Sequence, residues 1–284
     1  MIKEAKRKAV ESLIKDDDPH TRRLLIDELS ATYTENKSLL SELVRSKCPD
    51  AQRFAQEVLN KCGKADQQKV LPESRDAESD DVLRPRGWEH LESFSWWLAR
   101  QNDPSFDCTS GVKQLDEWAE MVDDVSPGCS CAEDRIKRLR KVLSQDLGLR
   151  GDFVDYYSAD NSYLNRVIER KKGIPLSLTL IYIFVGRRVG WKVRGLNMPG
   201  HYLACVDNIV FDPFFNAKIL SCSELKERYF LPECEFRDLE PYHAEPAETA
   251  HRVLANLYNS YMRAGDCDRL MQIADYLQSL SENS

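Results

Sequence analysis

The segment from Gly173 to Gly190, GIPLSLTLIYIFVGRRVG, limits the possible folds of this chain more than any other stretch. Its ten positions from Leu176 to Val185 are apolar except for Ser177 and Thr179. A membrane-crossing helix needs roughly 20 apolar residues, so this run is too short to span a bilayer and reads as a helix buried in a globular core. Pro175 suits the first turn of such a helix, and Gly190 its C-terminal end.

After Gly190 the apolar period shortens to that of strands. WKVRGLNM and HYLACV have strand-like composition, Asp207-Asn208 supplies a two-residue turn, and NIVFDPFF reads as the returning strand. With that turn, Val206 pairs with Ile209 and Leu203 lies opposite Asp212. Strand side chains alternate with a period of two, so His201 shares the face of Leu203. His201 and Asp212 then become diagonal neighbours, roughly 7–8 Å apart at the backbone and within reach of an imidazole–carboxylate hydrogen bond. In acyl-transfer sites such a carboxylate fixes the imidazole tautomer while the other ring nitrogen activates a nucleophile. The same pair also serves as an ordinary structural hydrogen bond, which is the commoner role in soluble proteins.

The chain has 284 residues, 42% hydrophobic and 31% charged, the balance of an ordinary globular protein with one large or two ordinary domains. Nine cysteines without regular spacing suit free thiols in a reducing compartment. The opening MIKEAKRKAVESLIKDDD reads as a charged amphipathic helix and not as a signal peptide, so a cytoplasmic location is expected. A formal charge of −7 argues against nucleic acid as partner. The basic run RIKRLRK, with Ile136, Leu139 and Val142 interleaved, reads as the solvated face of a helix. Membrane is not expected as a partner either. Cys129-Ser130-Cys131 lacks zinc-ligand spacing, and the glycines form neither phosphate-binding pattern, so no metal and no cofactor is expected.

Six segments follow from pattern. Residues 1–62 read as short helices, with Pro19 and Pro49 starting two of them 30 positions apart, a spacing that resembles degenerate HEAT-like repeats. Residues 63–86 are polar and proline-containing, a linker. Residues 87–147 hold helices around Leu91, Phe94, Trp96 and Trp97, then around Leu115, Trp118 and Val122, separated by QNDPSFDCTSG, with a further helix from about Cys131 to Leu147. Residues 148–222 form the α/β core and 223–248 a connecting segment. Residues 249–284 read as an αα-hairpin around Ala264-Gly265-Asp266, similar to one tetratricopeptide unit.

From Asp155 to Val206, followed by FDPF, the chain resembles the SirB-type transglutaminase-like family, whose motifs run NSYLN, GIPxSL, PGH and DPF. The resemblance implies an α+β fold: a papain/transglutaminase-like core, a buried helix packed on a small antiparallel sheet, with the HEAT-like region before it and the αα-hairpin after it. The papain-type order of nucleophile helix, histidine strand and aspartate strand assigns His201 and Asp212 to the catalytic pair. At the expected thiol position stand Pro175, Leu176 and Ser177, and no cysteine occurs between Cys131 and Cys205. Cys205 lies four residues from His201 along one strand, roughly 13 Å away. Ser177 is the local alternative, either a nucleophile or a first-turn serine hydrogen-bonded to nearby backbone. Tyr157, Asn161, Tyr163 and Asn165 keep most of the family's YY…NSYLN stretch and are expected ligand contacts, although loop packing accounts for them equally well. Where the family tends to read DPFNGG, this chain reads DPFFNAK.

The expected function is that of a transglutaminase-like protein without the usual cysteine, acting as a binding or regulatory module whose helical regions meet a protein partner. The alternatives are a serine-type hydrolase or acyltransferase using Ser177, His201 and Asp212, and a helical-repeat scaffold.

Overall fold

The computed structural model describes residues 19–32, scattered positions between 36 and 58, residues 82, 83, 85–124, 131–229, 239, 240 and 242–281. The opening residues, most of the expected linker, Pro127-Gly128 with Cys129, and the middle of the connecting segment lie outside the described residues. The chain forms two compact units, residues 1–80 with 254–284, and residues 81–253.

In the first unit, α1 (Pro19–Ala31) begins at its proline, as N-terminal prolines do. Leu29, Leu40, Leu43, Phe54 and Val58 are buried there. The last residues of α8 (Pro246–Ala264) and all of α9 (Cys267–Ser281) belong to the same unit, joined through Gly265, whose φ of +68° glycine adopts without penalty.

The second unit opens with α2 (Trp88–Asn102) and α3 (Cys108–Asp124). The break between them is shorter than the sequence pattern predicts. The Asp107 carboxylate accepts the Thr109 N–H at 2.9 Å, an N-terminal cap that draws CTSG into α3. The next helix, α4 (Ala132–Leu139), widens into a π-helical stretch at Arg140–Asp146 and buries Ile136, Leu139, Val142 and Leu143, with Lys137 and Lys141 left exposed. A short parallel pair, β1 (Arg150–Gly151) with β2 (Lys172–Gly173), brackets α5 (Leu164–Arg170).

The apolar run forms α6 (Pro175–Arg188), buried at every residue from Pro175 to Gly186. Beside it lies an antiparallel sheet in the order β3 (Val193–Leu196), β4 (Leu203–Val206), β5 (Ile209–Asp212), β6 (Lys218–Ile219). Val206 pairs with Ile209 and Cys205 with Val210, the register that the Asp207-Asn208 turn dictates. One sheet face meets α6, where the rings of Phe211 and Tyr182 stand 5.7 Å apart. Helix and sheet approach so closely that a Cβ added to Gly186 would come 2.3 Å from the Val193 side chain. On the opposite face Leu196, Met198, Leu203, Cys205, Val210 and Leu220 cluster with Leu225 of α7 (Cys222–Tyr229) and with Leu239. The α+β core is therefore present, a buried helix on a small antiparallel sheet. Among the described residues, no helix is long and apolar enough to cross a membrane.

At its C-terminal end α6 is tied to α2 and α3. The Arg188 guanidinium makes two 2.7 Å bonds to Glu92 and one of 2.6 Å to Asp116, and Glu92 first, then Asp116, holds its pKa above the usual guanidinium value. Arg188→Met should cost about 2–3 kcal/mol, because the mostly buried Glu92 carboxylate loses a bidentate partner. The midpoint of urea unfolding measures it, and an unshifted midpoint would show the cluster to be energetically idle.

Candidate functional site

The turn that delivers the histidine is built before β4 starts. Gly200 takes φ +70°, and the Met198 carbonyl accepts the His201 N–H at 3.2 Å. His201 thus stands two residues ahead of β4 and not within a strand. Its imidazole nevertheless meets the last residue of β5, with His201 Nε2 2.8 Å from Asp212 Oδ2. Asp212 is fully buried. Its Oδ1 accepts the Phe214 N–H at 3.0 Å, capping the 3-10 turn Pro213–Phe215, and Arg228 of α7 reaches Oδ2 at a longer 3.4 Å. With a carboxylate accepting, Nε2 carries a ring proton, and in the neutral imidazole Nδ1 is then the acceptor.

Aromatic rings surround the imidazole. Phe214, Phe215 and Tyr229 lie 6.1, 6.3 and 6.5 Å from it, centre to centre. Burial, and after it the negative Asp212, pushes the Tyr229 hydroxyl above the ordinary phenol value. A Cβ on Gly151 would strike the Phe214 ring at 2.6 Å, so glycine there lets β1 lie against the site.

Beyond the DPF motif, Asn216 and Ala217 take φ +57° and +46°. These are the positions where the family pattern reads Gly-Gly, and the left-handed turn is kept with alanine in one of them. Ala217→Gly should therefore stabilise the protein by about 1 kcal/mol, since the left-handed region costs an L-residue roughly that much. Thermal unfolding checks this, and a lowered melting temperature would contradict it.

Ser177 sits in the first turn of α6 and is buried. Its hydroxyl lies 2.6 Å from the Asn161 carbonyl and 3.2 Å from the Ile174 carbonyl, and it accepts the Ile174 N–H at 3.1 Å. No described hydrogen bond joins Ser177 to His201. The thiol nearest in sequence to the pair, Cys205, points into the apolar face of the sheet, where burial pushes its pKa up to about 11.

Of the residues expected to contact a ligand, Tyr157 is exposed and Tyr163 is buried at the start of α5. The Asn165 side-chain oxygen is buried with no described partner. Asn161 is fully buried and shapes the loop: its amide donates to the carbonyls of Asp155 and Tyr156, and its oxygen accepts from Arg170 at 3.1 Å. The same Arg170 meets buried Asp152 at 2.9 Å.

Burial pushes the Asp152 carboxyl up, but the N–H groups of Asp155 and Val154, with Lys172 and Arg170, more than offset this and leave it below the ordinary carboxylate value. A lowered native pKa stabilises the fold above the unfolded pKa of about 4, and that stability is lost as the pH falls through the native value. Asp152→Asn should therefore be destabilising at neutral pH, by about 1–2 kcal/mol, with the gap to the parent narrowing below about pH 4. Unfolding curves across that range test it, and a gap constant with pH would refute it.

Sequence reasoning missed Asp152, which caps the turn just after it, and Arg170, Arg228 and Tyr229, which stand well along the chain from the residues they meet. Phe214 and Phe215 stand within the DPFF stretch, but the sequence did not single them out beside His201. Among the described residues, no group of three or more His, Cys, Asp and Glu side chains is arranged to hold a metal.

A buried helix whose N-terminus packs by the turn after the aspartate strand, with a histidine just ahead of one strand bonded to an aspartate at the end of its neighbour, is the arrangement of a transglutaminase-like α+β core. The chain belongs to the transglutaminase-like superfamily, whose family model matches residues 110–256. It is 31% identical over 219 residues to a "UPF0162 protein" of Xylella fastidiosa strain 9a5c, covering 73% of this chain and 75% of that one. A "UPF0162 protein" of Pseudomonas aeruginosa is 26% identical over 174 residues, 60% of this chain and 64% of that one. A shorter likeness, 40% over 62 residues, links 22% of this chain to 10% of mouse "F-box only protein 21". No solved structure matches.

Proposed function

We propose that this chain is a SirB-type member of the superfamily whose core acts as a binding or regulatory module in the cytoplasm and not as a thiol acyltransferase. The bonding of Ser177 carries the reading. At the helix position where the superfamily's mechanism requires a nucleophile, the side chain is a buried hydroxyl engaged by the backbone of Asn161 and Ile174. An activated serine gives its proton to the imidazole, whereas this one is within donating distance of two carbonyls and has no described bond to His201. This also weighs against the serine-type hydrolase. The retained His201–Asp212 pair then positions ligand-facing groups, and the helical regions contact a protein partner.

The purified protein, incubated with a glutamine-donor peptide and a primary amine, should release no ammonia above background. Ammonia release, or acyl or peptide hydrolysis, abolished by His201→Ala would overturn the proposal.

A further inference from the structure

Arg252, on α8, is a guanidinium held by neutral groups. Its Nη1 donates to the Asn197 side-chain oxygen and, at 3.1 Å, to the Met198 carbonyl, and its Cζ lies 5.5 Å from the centre of the Tyr202 ring. Among the described residues no carboxylate is within ion-pairing distance of it, whereas Arg170, Arg188 and Arg228 each meet one. Burial pushes its pKa down, with Tyr202 and then Tyr156 acting the other way. A guanidinium stays protonated in proteins even so, and this one makes no ion pair among the described residues, although the Glu248 carboxylate on the same helix also acts on the Tyr202 hydroxyl.

Its location links it to the imidazole. The Met198 carbonyl that Arg252 contacts also accepts the His201 N–H. The charge of Arg252 acts on the Tyr156 hydroxyl, the Tyr156 ring stands 5.9 Å from Phe214, and Phe214 stands 6.1 Å from His201. Beside this path are three of the large apolar side chains left exposed, Phe153 at 64%, Tyr157 at 53% and Phe215 at 44%. The Phe153 ring packs 4.6 Å from Phe214 and 5.6 Å from Phe215, and Tyr157 packs 5.2 Å from Tyr156, which meets Phe214, so these rings, set edge to face or tilted, form one connected cluster.

From this geometry we infer that Arg252 anchors the carboxylate of a monoanionic ligand whose apolar body packs against the exposed rings of Phe153, Tyr157 and Phe215 beside His201. The inference rests on the binding-module reading and names its ligand class. The guanidinium fork matches a carboxylate in two parallel bonds, and Nη2 and Nε have no described partner. One cation without an ion pair fits a single negative charge better than a phosphate dianion.

N-acetyl-L-phenylalanine, its uncharged amide and phenyl phosphate are titrated into the full chain, with affinities read by calorimetry and the Arg252 Nε–H resonance followed by NMR. The acid should bind roughly tenfold more tightly than the amide, the advantage of a charge-assisted hydrogen bond, and should shift the Arg252 resonance. That advantage should vanish in Arg252→Gln and persist in Arg228→Gln. Because the Arg252 resonance is read in the unaltered chain, the result holds even where Arg252→Gln fails to fold. Equal affinity of acid and amide, binding of neither, an unmoved Arg252 resonance, an advantage retained in Arg252→Gln, or tighter binding of phenyl phosphate would each overturn the inference. Release of ammonia from the amide would instead sink the binding-module reading, so the two failures are distinguishable.

Discussion

Asp212→Ala should lower the stability of the second unit by about 3 kcal/mol, the upper end for unmet buried hydrogen-bonding groups. The carboxylate is fully buried and serves three donors: His201 at 2.8 Å, the Phe214 N–H at 3.0 Å and Arg228 at 3.4 Å. Alanine leaves the Phe214 N–H without its cap and His201 without its acceptor, and an unmet buried donor costs about 1–3 kcal/mol. Asp212→Asn separates the contributions. Its oxygen still caps Phe214, while its NH₂ group faces His201 and forces the ring proton from Nε2 to Nδ1. The stability loss should then fall to about 1 kcal/mol, and the nitrogen-15 shifts of His201 should exchange between the two tautomer patterns. Full stability in Asp212→Ala, or an unchanged tautomer in Asp212→Asn, would mean that the pair is not joined as described.

The tautomer matters for what the site can do. With the proton held on Nε2, the Nδ1 lone pair is the acceptor that a neutral His201 ring has to offer.

How far this arrangement was legible beforehand depended on how local its causes are. The buried helix from Pro175 to Arg188 follows from a continuous apolar run between a proline and a glycine, signals contained in the segment itself. The register of β4 against β5 follows from a two-residue turn and a period of two, and with it the meeting of His201 and Asp212. The same reasoning placed His201 inside a strand, because HYLACV is uniformly strand-like in composition. The Met198–His201 turn that Gly200 permits is a conformational choice that composition does not announce. The break before α3 is shorter than the pattern of QNDPSFDCTSG suggests because Asp107, an ordinary loop residue by composition, caps the helix.

Other features depend on distant partners. Ser177 in a first turn suggests a local hydrogen bond, and the Ile174 contacts meet that expectation, but the Asn161 carbonyl arrives from an earlier loop. Arg170 between Asp152 and Asn161, Arg228 at Asp212, and Arg252 at the Asn197–Met198 turn are ordinary surface-helix residues by pattern. Only the packing of α5, α7 and α8 on the core brings them to the site. Exposure of Phe153 and Phe215 was equally hidden, since an aromatic residue in a loop reads as core until its environment is known.

Phe211→Ala should cost about 3–5 kcal/mol, at the upper end for a deleted core ring. Phe211 is fully buried, opposite Ala204 on one neighbouring strand and Ile219 on the other, with its ring against Tyr182 of α6. What sets the cost is whether neighbours can relax into the space. Tyr182 is the natural candidate, but its hydroxyl is held 2.6 Å from Ser144 Oγ, and burial already pushes its pKa well above the ordinary phenol value. Moving that ring would exchange a cavity for an unpaired buried hydroxyl, itself a cost of about 1–3 kcal/mol. From the sheet side, Ala204 is too short to fill the gap. The cavity should therefore persist, whereas Phe211→Leu, which keeps most of the volume, should cost only about 1 kcal/mol. Both variants should shift the denaturant midpoint without changing its slope, and amide exchange in α6 should quicken in proportion. A loss below about 1 kcal/mol in Phe211→Ala would show that α6 and the sheet can close on each other, which the 2.3 Å approach of a Cβ at Gly186 to Val193 argues against.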